Sequence, residues 1–164
     1  MKKVLVFVMA FFIFSLPAFA KINIRLDSPY FDNDTTTNVA NYIGKKPIML
    51  VFFYPDCTPC RHGAAQINTL YKKYKDKIFI LGISLSRDRY DIGDFIKDLN
   101  VVYPIWRIHS KSDLRNVGGI LATPTIVIVD RSGKIVKKFI GKRPKKEIEA
   151  VIEQLLKKEE QCTK

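Results

Sequence analysis

The feature that most constrains this chain is the unbroken apolar run from Ile48 to Tyr54, followed at once by Pro55-Asp56 and then by Cys57-Thr58-Pro59-Cys60. A strand with no polar alternation suits the inside of an α/β sheet, where both faces are covered. Beyond the cysteines, Ala64, Ile67, Leu70, Tyr71 and Tyr74 recur at spacings of three and four. That pattern gives a helix from Thr58 to Tyr74 with one stripe on the sheet. The two sulfurs therefore stand where a core strand hands over to a helix.

Other segments repeat the alternation of strand and helix. Ile78 to Leu85 reads as a second core strand, Asp91 to Leu99 as an amphipathic helix, and Val101 to Trp106 as a short strand interrupted by Pro104. Lys111 to Val117 is a short helix stopped by Gly118-Gly119, where glycine tolerates a left-handed cap. Thr125 to Val129 and Ile135 to Ile140, joined by Asp130-Arg131-Ser132-Gly133, form an antiparallel hairpin. Lys145 to Lys158 is a closing helix that buries Ile148, Val151, Ile152, Leu155 and Leu156. The lead from Lys21 to Asn38 is polar and carries no assigned element, and a short helical segment after it ends at Gly44. This order defines an α/β fold with a mixed central sheet and helices on both faces. Residues 21–164 are expected to form a single domain.

The N-terminus differs in kind. Lys2 and Lys3 precede an apolar run to Leu16, then Pro17 and Ala18-Phe19-Ala20, which is the pattern of a signal peptide cleaved after Ala20. The competing reading is an uncleaved anchor, because the run approaches the lower limit of about 17 to 25 residues for a spanning helix. Pro17 and the small-residue site favour cleavage, so the expected location is periplasmic, where disulfide chemistry is available. Lys and Arg number 28 against 16 Asp and Glu, a formal net charge of +12. The charges are scattered and no basic run is interleaved with aromatics, which argues against nucleic acid as a partner.

At a helix entrance Cys57 meets unpaired backbone N–H groups and the positive end of the helix dipole, both of which favour its thiolate. Pro59 fits the first turn, where its missing N–H costs nothing. Cys60, one turn on, can close a disulfide with Cys57 or attack a mixed disulfide held there. A structural zinc site needs four ligands, and the only other sulfur is Cys162. Haem attachment needs a histidine where Arg61 stands. Copper(I) suits two thiolates plus a histidine, but His62 projects about 200° around the helix from Cys60 at ~100° per residue. His109 lies beside Trp106 in a loop region with no paired acid or cysteine near it in sequence and is assigned no role. Cys162 reads as a peripheral thiol on a tail after the last helix.

These pieces, in this order, resemble the TlpA/ResA-like branch of the thioredoxin superfamily over about residues 27–158. The resemblance rests on Ile48 to Tyr54 before C-x-x-C, Leu70-Tyr71-Lys72-Lys73-Tyr74, Tyr103-Pro104, Ala122-Thr123-Pro124-Thr125, and Val129 to Val136. It implies a thioredoxin fold, with the long stretch between Leu85 and Ala122 holding that branch's extra strand and helix. It also implies a cis bond at Thr123-Pro124, with Pro124 facing the cysteines and Thr123 offering its backbone to an extended substrate. Many relatives carry a buried acid six residues before the first cysteine, or one three residues after the second. Here those places hold Val51 and Gly63, leaving the proton route at Cys60 unassigned.

The expected function is therefore an exported thiol–disulfide oxidoreductase without a cofactor. Cys57 is its nucleophile and Cys60 its resolving thiol, with Thr58, Pro59, Thr123 and Pro124 at the substrate. Protein thiols or disulfides are the expected partners, with a membrane electron donor and the direction of a reductase; by analogy, cytochrome c maturation is its pathway. The alternative is a copper metallochaperone using the same cysteine pair.

Overall fold

Seven strands lie in one sheet in the order β2-β1-β5-β4-β3-β6-β7, in a computed structural model that describes residues 22–162. The strands are β1 (Arg25–Asp27), β2 (Thr36–Asn38), β3 (Ile48–Phe53), β4 (Phe79–Ser84), β5 (Ile105–Ile108), β6 (Thr125–Val129) and β7 (Ile135–Ile140). The α-helices are α1 (Thr58–Tyr74), α2 (Arg89–Asp98) and α3 (Lys145–Cys162), and 3₁₀ helices span Val39–Tyr42 and Lys111–Val117. The signal peptide expected over residues 1–20 lies outside the described residues. Among the described residues no helix is long and apolar enough to cross a membrane.

The unbroken hydrophobicity of β3 follows from its place. It pairs in parallel with β4 and antiparallel with β6, and every residue from Ile48 to Phe53 is buried. Its side chains alternate between two cores. Met49, Val51 and Phe53 meet Ala64, Ile67 and Leu70 of α1, Phe95 of α2 and Ile148 and Ile152 of α3. Ile48, Leu50 and Phe52 face Val39, Val117 and the lead residues Ile24 and Leu26. Helices thus lie on both faces, but unevenly: all three α-helices pack on one, and the 3₁₀ helices cover the other.

Close packing also explains one glycine. A Cβ on Gly82 of β4 would approach Cε2 of Tyr103 to 2.8 Å and would also meet Ile105. The missing side chain lets the Tyr103 ring lie on the strand next to Val51, the partner of Gly82 across the ladder.

Several boundaries differ from the sequence reading. The polar lead contains β1 and β2, which pair antiparallel, and β1 extends the sheet from β5. The segment before Gly44 is a 3₁₀ helix, as is the one over Lys111–Val117. The strand expected from Val101 starts only at Ile105: Tyr103 packs against Gly82 of β4 instead of pairing with it, and pairing with β4 begins at the Pro104 carbonyl, which accepts from Gly82 N–H at 2.9 Å. The last helix runs to Cys162, whose backbone is its final turn rather than a tail beyond it.

Phe53 is 2% exposed and stacks on Phe95 with ring centroids 4.5 Å apart. Phe53→Ala should cost about 3–5 kcal/mol, whereas Leu121→Ala, at 85% exposure, should change stability by less than about 0.5 kcal/mol. Urea denaturation of both variants checks the contrast.

Candidate active site

The end of β3 delivers the chain through Tyr54, Pro55 and Asp56 to Cys57, which is the N-cap of α1. Its Sγ accepts a hydrogen bond from Cys60 N–H at 3.3 Å, so one of the orphan donors at the helix start points at sulfur. No acidic residue occupies the first turn of α1. Negative charge on Cys57 is therefore favoured by donor and dipole without an opposing carboxylate in that turn. Arg61 ties the entrance down: its guanidinium donates to the Pro55 carbonyl at 3.4 Å and pairs with Asp98 of α2 at 3.0 Å.

Cys57 and Cys60 are joined as a disulfide, with Cα atoms 5.2 Å apart. Their surroundings differ. Cys57 is half-buried, while Cys60 is 5% exposed and lies in the core with Val51, Phe53 and Ile67.

Of the other residues singled out in the sequence, Thr58 and Pro59 are exposed in the first turn of α1. Thr123 comes from the far side of the chain, its carbonyl oxygen 3.5 Å from Cys57 Sγ. The Thr123–Pro124 peptide bond is cis, and Pro124 lines a cavity of about 20 Å³ together with Cys60, Val51 and Gly63. Cys57, Cys60, Thr123 and Pro124 are thus brought together, with Thr58 and Pro59 at the outer rim.

Three features were not read from the sequence. Lys138 of β7 directs its ammonium at the carbonyls of Val117 (3.0 Å), Gly118 (3.2 Å) and Gly119. It fixes the loop that leads into Thr123, a role hidden in sequence because the partners lie some twenty residues upstream. The same loop is held from below: Thr125 Oγ1 donates to the Ala122 carbonyl at 2.6 Å, and Gly141 N–H to the Pro124 carbonyl at 2.8 Å.

The second feature is the cavity beside Cys60. Besides Val51 and Gly63 it is lined by Tyr103, Lys142 and Arg143; burial holds the Tyr103 phenol well above the ordinary tyrosine range. The third is His109, whose Nδ1 lies 2.9 Å from Oδ1 of buried Asp27, a residue also approached by Arg107 at 3.7 Å. That cluster joins β1 to β5. His62 is exposed, and among the described residues no group of three or more His, Cys, Asp or Glu side chains is arranged to hold a metal.

A mixed sheet of this topology with a disulfide-bonded cysteine pair at a helix entrance defines a thioredoxin-like protein. The chain belongs to the Redoxin family, whose model matches residues 15–156. It is 26% identical over 111 residues to the thiol-disulfide oxidoreductase ResA of a Bacillus cereus strain, a match that covers 67% of this chain and 64% of that one. It is 28% identical over 109 residues to the thioredoxin-like protein YneN of Bacillus subtilis, covering 65% and 62%. The chain thus spans less than two thirds of the length of these curated relatives. Among solved structures it is similar to a putative thiol:disulfide interchange protein DsbE from Chlorobium tepidum, with a TM-score of 0.71 at 22% identity over 82% of this chain and 93% of that one. StoA from Bacillus subtilis gives a TM-score of 0.62 at 21% identity, covering 78% and 96%. These likenesses show the fold.

Lys138→Met should free the loop before Thr123, removing charge-assisted hydrogen bonds of about 1.5–3 kcal/mol. Amide hydrogen exchange should accelerate over Val117–Thr123 while the amides of β3 keep their protection; unchanged exchange in the loop would show that the ammonium does not restrain it.

Proposed function

We propose that this chain is an exported thiol–disulfide oxidoreductase that reduces protein disulfides, with Cys57 as nucleophile and Cys60 as resolving thiol. The observation that carries the assignment of roles is the unequal placement of the two sulfurs. Cys57 is accessible at the helix cap and receives an N–H donor, while Cys60 is buried behind it.

In the reduced state the Cys57 thiolate attacks one sulfur of a substrate disulfide. The substrate S–S bond breaks, and the leaving thiolate takes up a proton. Cys60 then loses its proton and attacks Cys57 Sγ, expelling the second substrate thiolate and closing the Cys57–Cys60 disulfide. Two electrons pass from the protein to the substrate, and a membrane donor would restore the dithiol. Thr58, Pro59, Thr123 and Pro124 form the docking surface, with the Thr123 backbone pairing to an extended substrate segment.

Support for the activity comes from relatives named thiol-disulfide oxidoreductases; the N-terminal sequence supports export and a periplasmic location. The reductive direction and a place in cytochrome c maturation rest on the family resemblance alone. Copper delivery by the cysteine pair is a weaker reading, because His62 turns outward and no third ligand stands beside the sulfurs among the described residues.

Cys57→Ser should reduce disulfide turnover to the uncatalysed rate, and Cys60→Ser should accumulate a mixed disulfide with substrate, visible by mass spectrometry of the intact protein. Turnover by Cys57→Ser at the wild-type rate would overturn the assignment. Equilibration of the Cys57–Cys60 couple with glutathione checks the direction: a reductase should lie near thioredoxin's potential of about −270 mV, and a value near about −120 mV would make the protein an oxidant.

A further inference from the structure

Two depressions flank the Thr123–Pro124 peptide, and their linings differ. One, of about 210 Å³, is lined by Tyr54, Leu114, Ile120, Leu121 and Thr123, with Lys111 at its edge. Leu121 is 85% exposed, the most exposed large apolar side chain among the described residues. The other contains Pro124, Cys60 and Gly63, with Lys142 and Arg143 on its rim.

Leu121 does not stand alone: with Ile120, Leu114 and Tyr54 it makes an apolar lining next to Thr123, and a contiguous apolar lining of this kind marks a surface that another molecule can cover. The cations around it are equally unspent. Lys111, Lys142 and Arg143 are exposed, and among the described residues no ion pair involves them, in contrast to Arg61 with Asp98 and Arg25 with Asp113 nearby. Arg143 makes only a long contact to the Ile140 carbonyl, at 3.4 Å. Its backbone is nevertheless fixed, because Gln66 of α1 donates to the Arg143 carbonyl at 3.0 Å. The one exposed carboxylate in the turn before Cys57 is Asp56. The charged side chains that line the two depressions are all cations, Lys111 in one and Lys142 and Arg143 in the other.

We propose that the preferred substrate segment is an extended, acidic stretch of protein whose cysteine is flanked by an apolar residue and by carboxylates. The apolar side chain fills the groove at Ile120 and Leu121, and the carboxylates meet Lys111 at one end and Lys142 and Arg143 at the other. The proposal rests on the disulfide-exchange reading of the same site and adds the chemistry of its substrate. Complementary charge of this kind acts mainly on the rate of encounter and on the choice of partner, and it weakens as salt shortens the screening length.

The test uses the full reduced protein and peptides carrying one cysteine as a mixed disulfide with 2-thiopyridine. Cys57 thiolate attacks the peptide sulfur, the peptide–pyridyl S–S bond breaks, and thiopyridone leaves with its absorbance. Leucine adjoins the cysteine in every peptide, with glutamates on both flanks in one and lysines in the other. A small uncharged disulfide, bis(2-hydroxyethyl) disulfide, is measured alongside.

At low salt the glutamate peptide should react about 3- to 10-fold faster than the lysine peptide, the size expected from a few exposed charge pairs. The ratio should fall toward one at high salt and invert in a Lys111→Glu, Lys142→Glu, Arg143→Glu variant. Replacing the leucine by glycine should slow the peptide reaction in the wild type, and the leucine advantage should shrink in Leu121→Ala. Equal rates for the two peptides, or a faster lysine peptide, while the uncharged disulfide still exchanges would overturn the proposal and leave the oxidoreductase reading intact. Failure to exchange with the uncharged disulfide would remove both.

Discussion

Burial of β3 on both faces is the constraint on which the site depends. Each of its six residues is removed from water, and a fully buried aliphatic or aromatic side chain contributes about 1.5–3 kcal/mol. Because Met49, Val51 and Phe53 pack on α1 while Ile48, Leu50 and Phe52 pack on the opposite core, a slip of one residue would exchange the two sets. The strand therefore cannot shift, and the turn at its end places Cys57 at one point relative to the helix it caps. The Cys57 sulfur inherits its position from the hydrophobic packing of the strand that leads into it.

The second half of the site has a different origin. Thr123 and Pro124 arrive between the 3₁₀ helix over Lys111–Val117 and β6, in a segment that contributes little to the core until Pro124 itself is buried. What holds them is polar: the Lys138 ammonium on three carbonyls and the Gly141 and Thr125 hydrogen bonds on the carbonyls of Pro124 and Ala122. β7 supplies Lys138 and the loop after it supplies Gly141, so the hairpin β6–β7 carries the loop opposite the cysteines. An anchored sulfur thus faces a loop restrained by local hydrogen bonds, which is the combination an exchange reaction with a protein partner needs.

What the sequence revealed follows the same division. β3, β4, β6 and the stripe of α1 could be read because their burial is encoded in contiguous or periodic residues. The hairpin β1–β2 was hidden, since three-residue strands separated by the polar loop at Ser28–Thr35 show no period. Asp27 looks like a surface residue until Arg107 and His109 are found beside it. The β5 boundary was misplaced because Val101 to Tyr103 are apolar for another reason: Tyr103 packs on Gly82 rather than pairing in a ladder. Cys57 and Cys60 were legible from spacing alone, and Thr123 and Pro124 through resemblance to a family. Lys138, Lys142 and Arg143 were not, because nothing in a lysine's own neighbourhood says which carbonyl or cavity it will meet.

The absence of a carboxylate at positions 51 and 63 acquires a physical meaning from the same cavity. A carboxylate in place of Val51 would share its cavity with Phe53, Ile67, Phe95 and Ile126, and an ionised group there would depend for hydrogen bonds on the few polar side chains of the same lining. The polar side chains that line the cavity with Cys60 are Gln66, Tyr103, whose phenol burial holds above the ordinary tyrosine range, and two cations, Lys142 and Arg143. Under the proposed mechanism the two cations act electrostatically: positive charge at the rim favours the negative charge that would move between Cys60, Cys57 and a departing substrate sulfur.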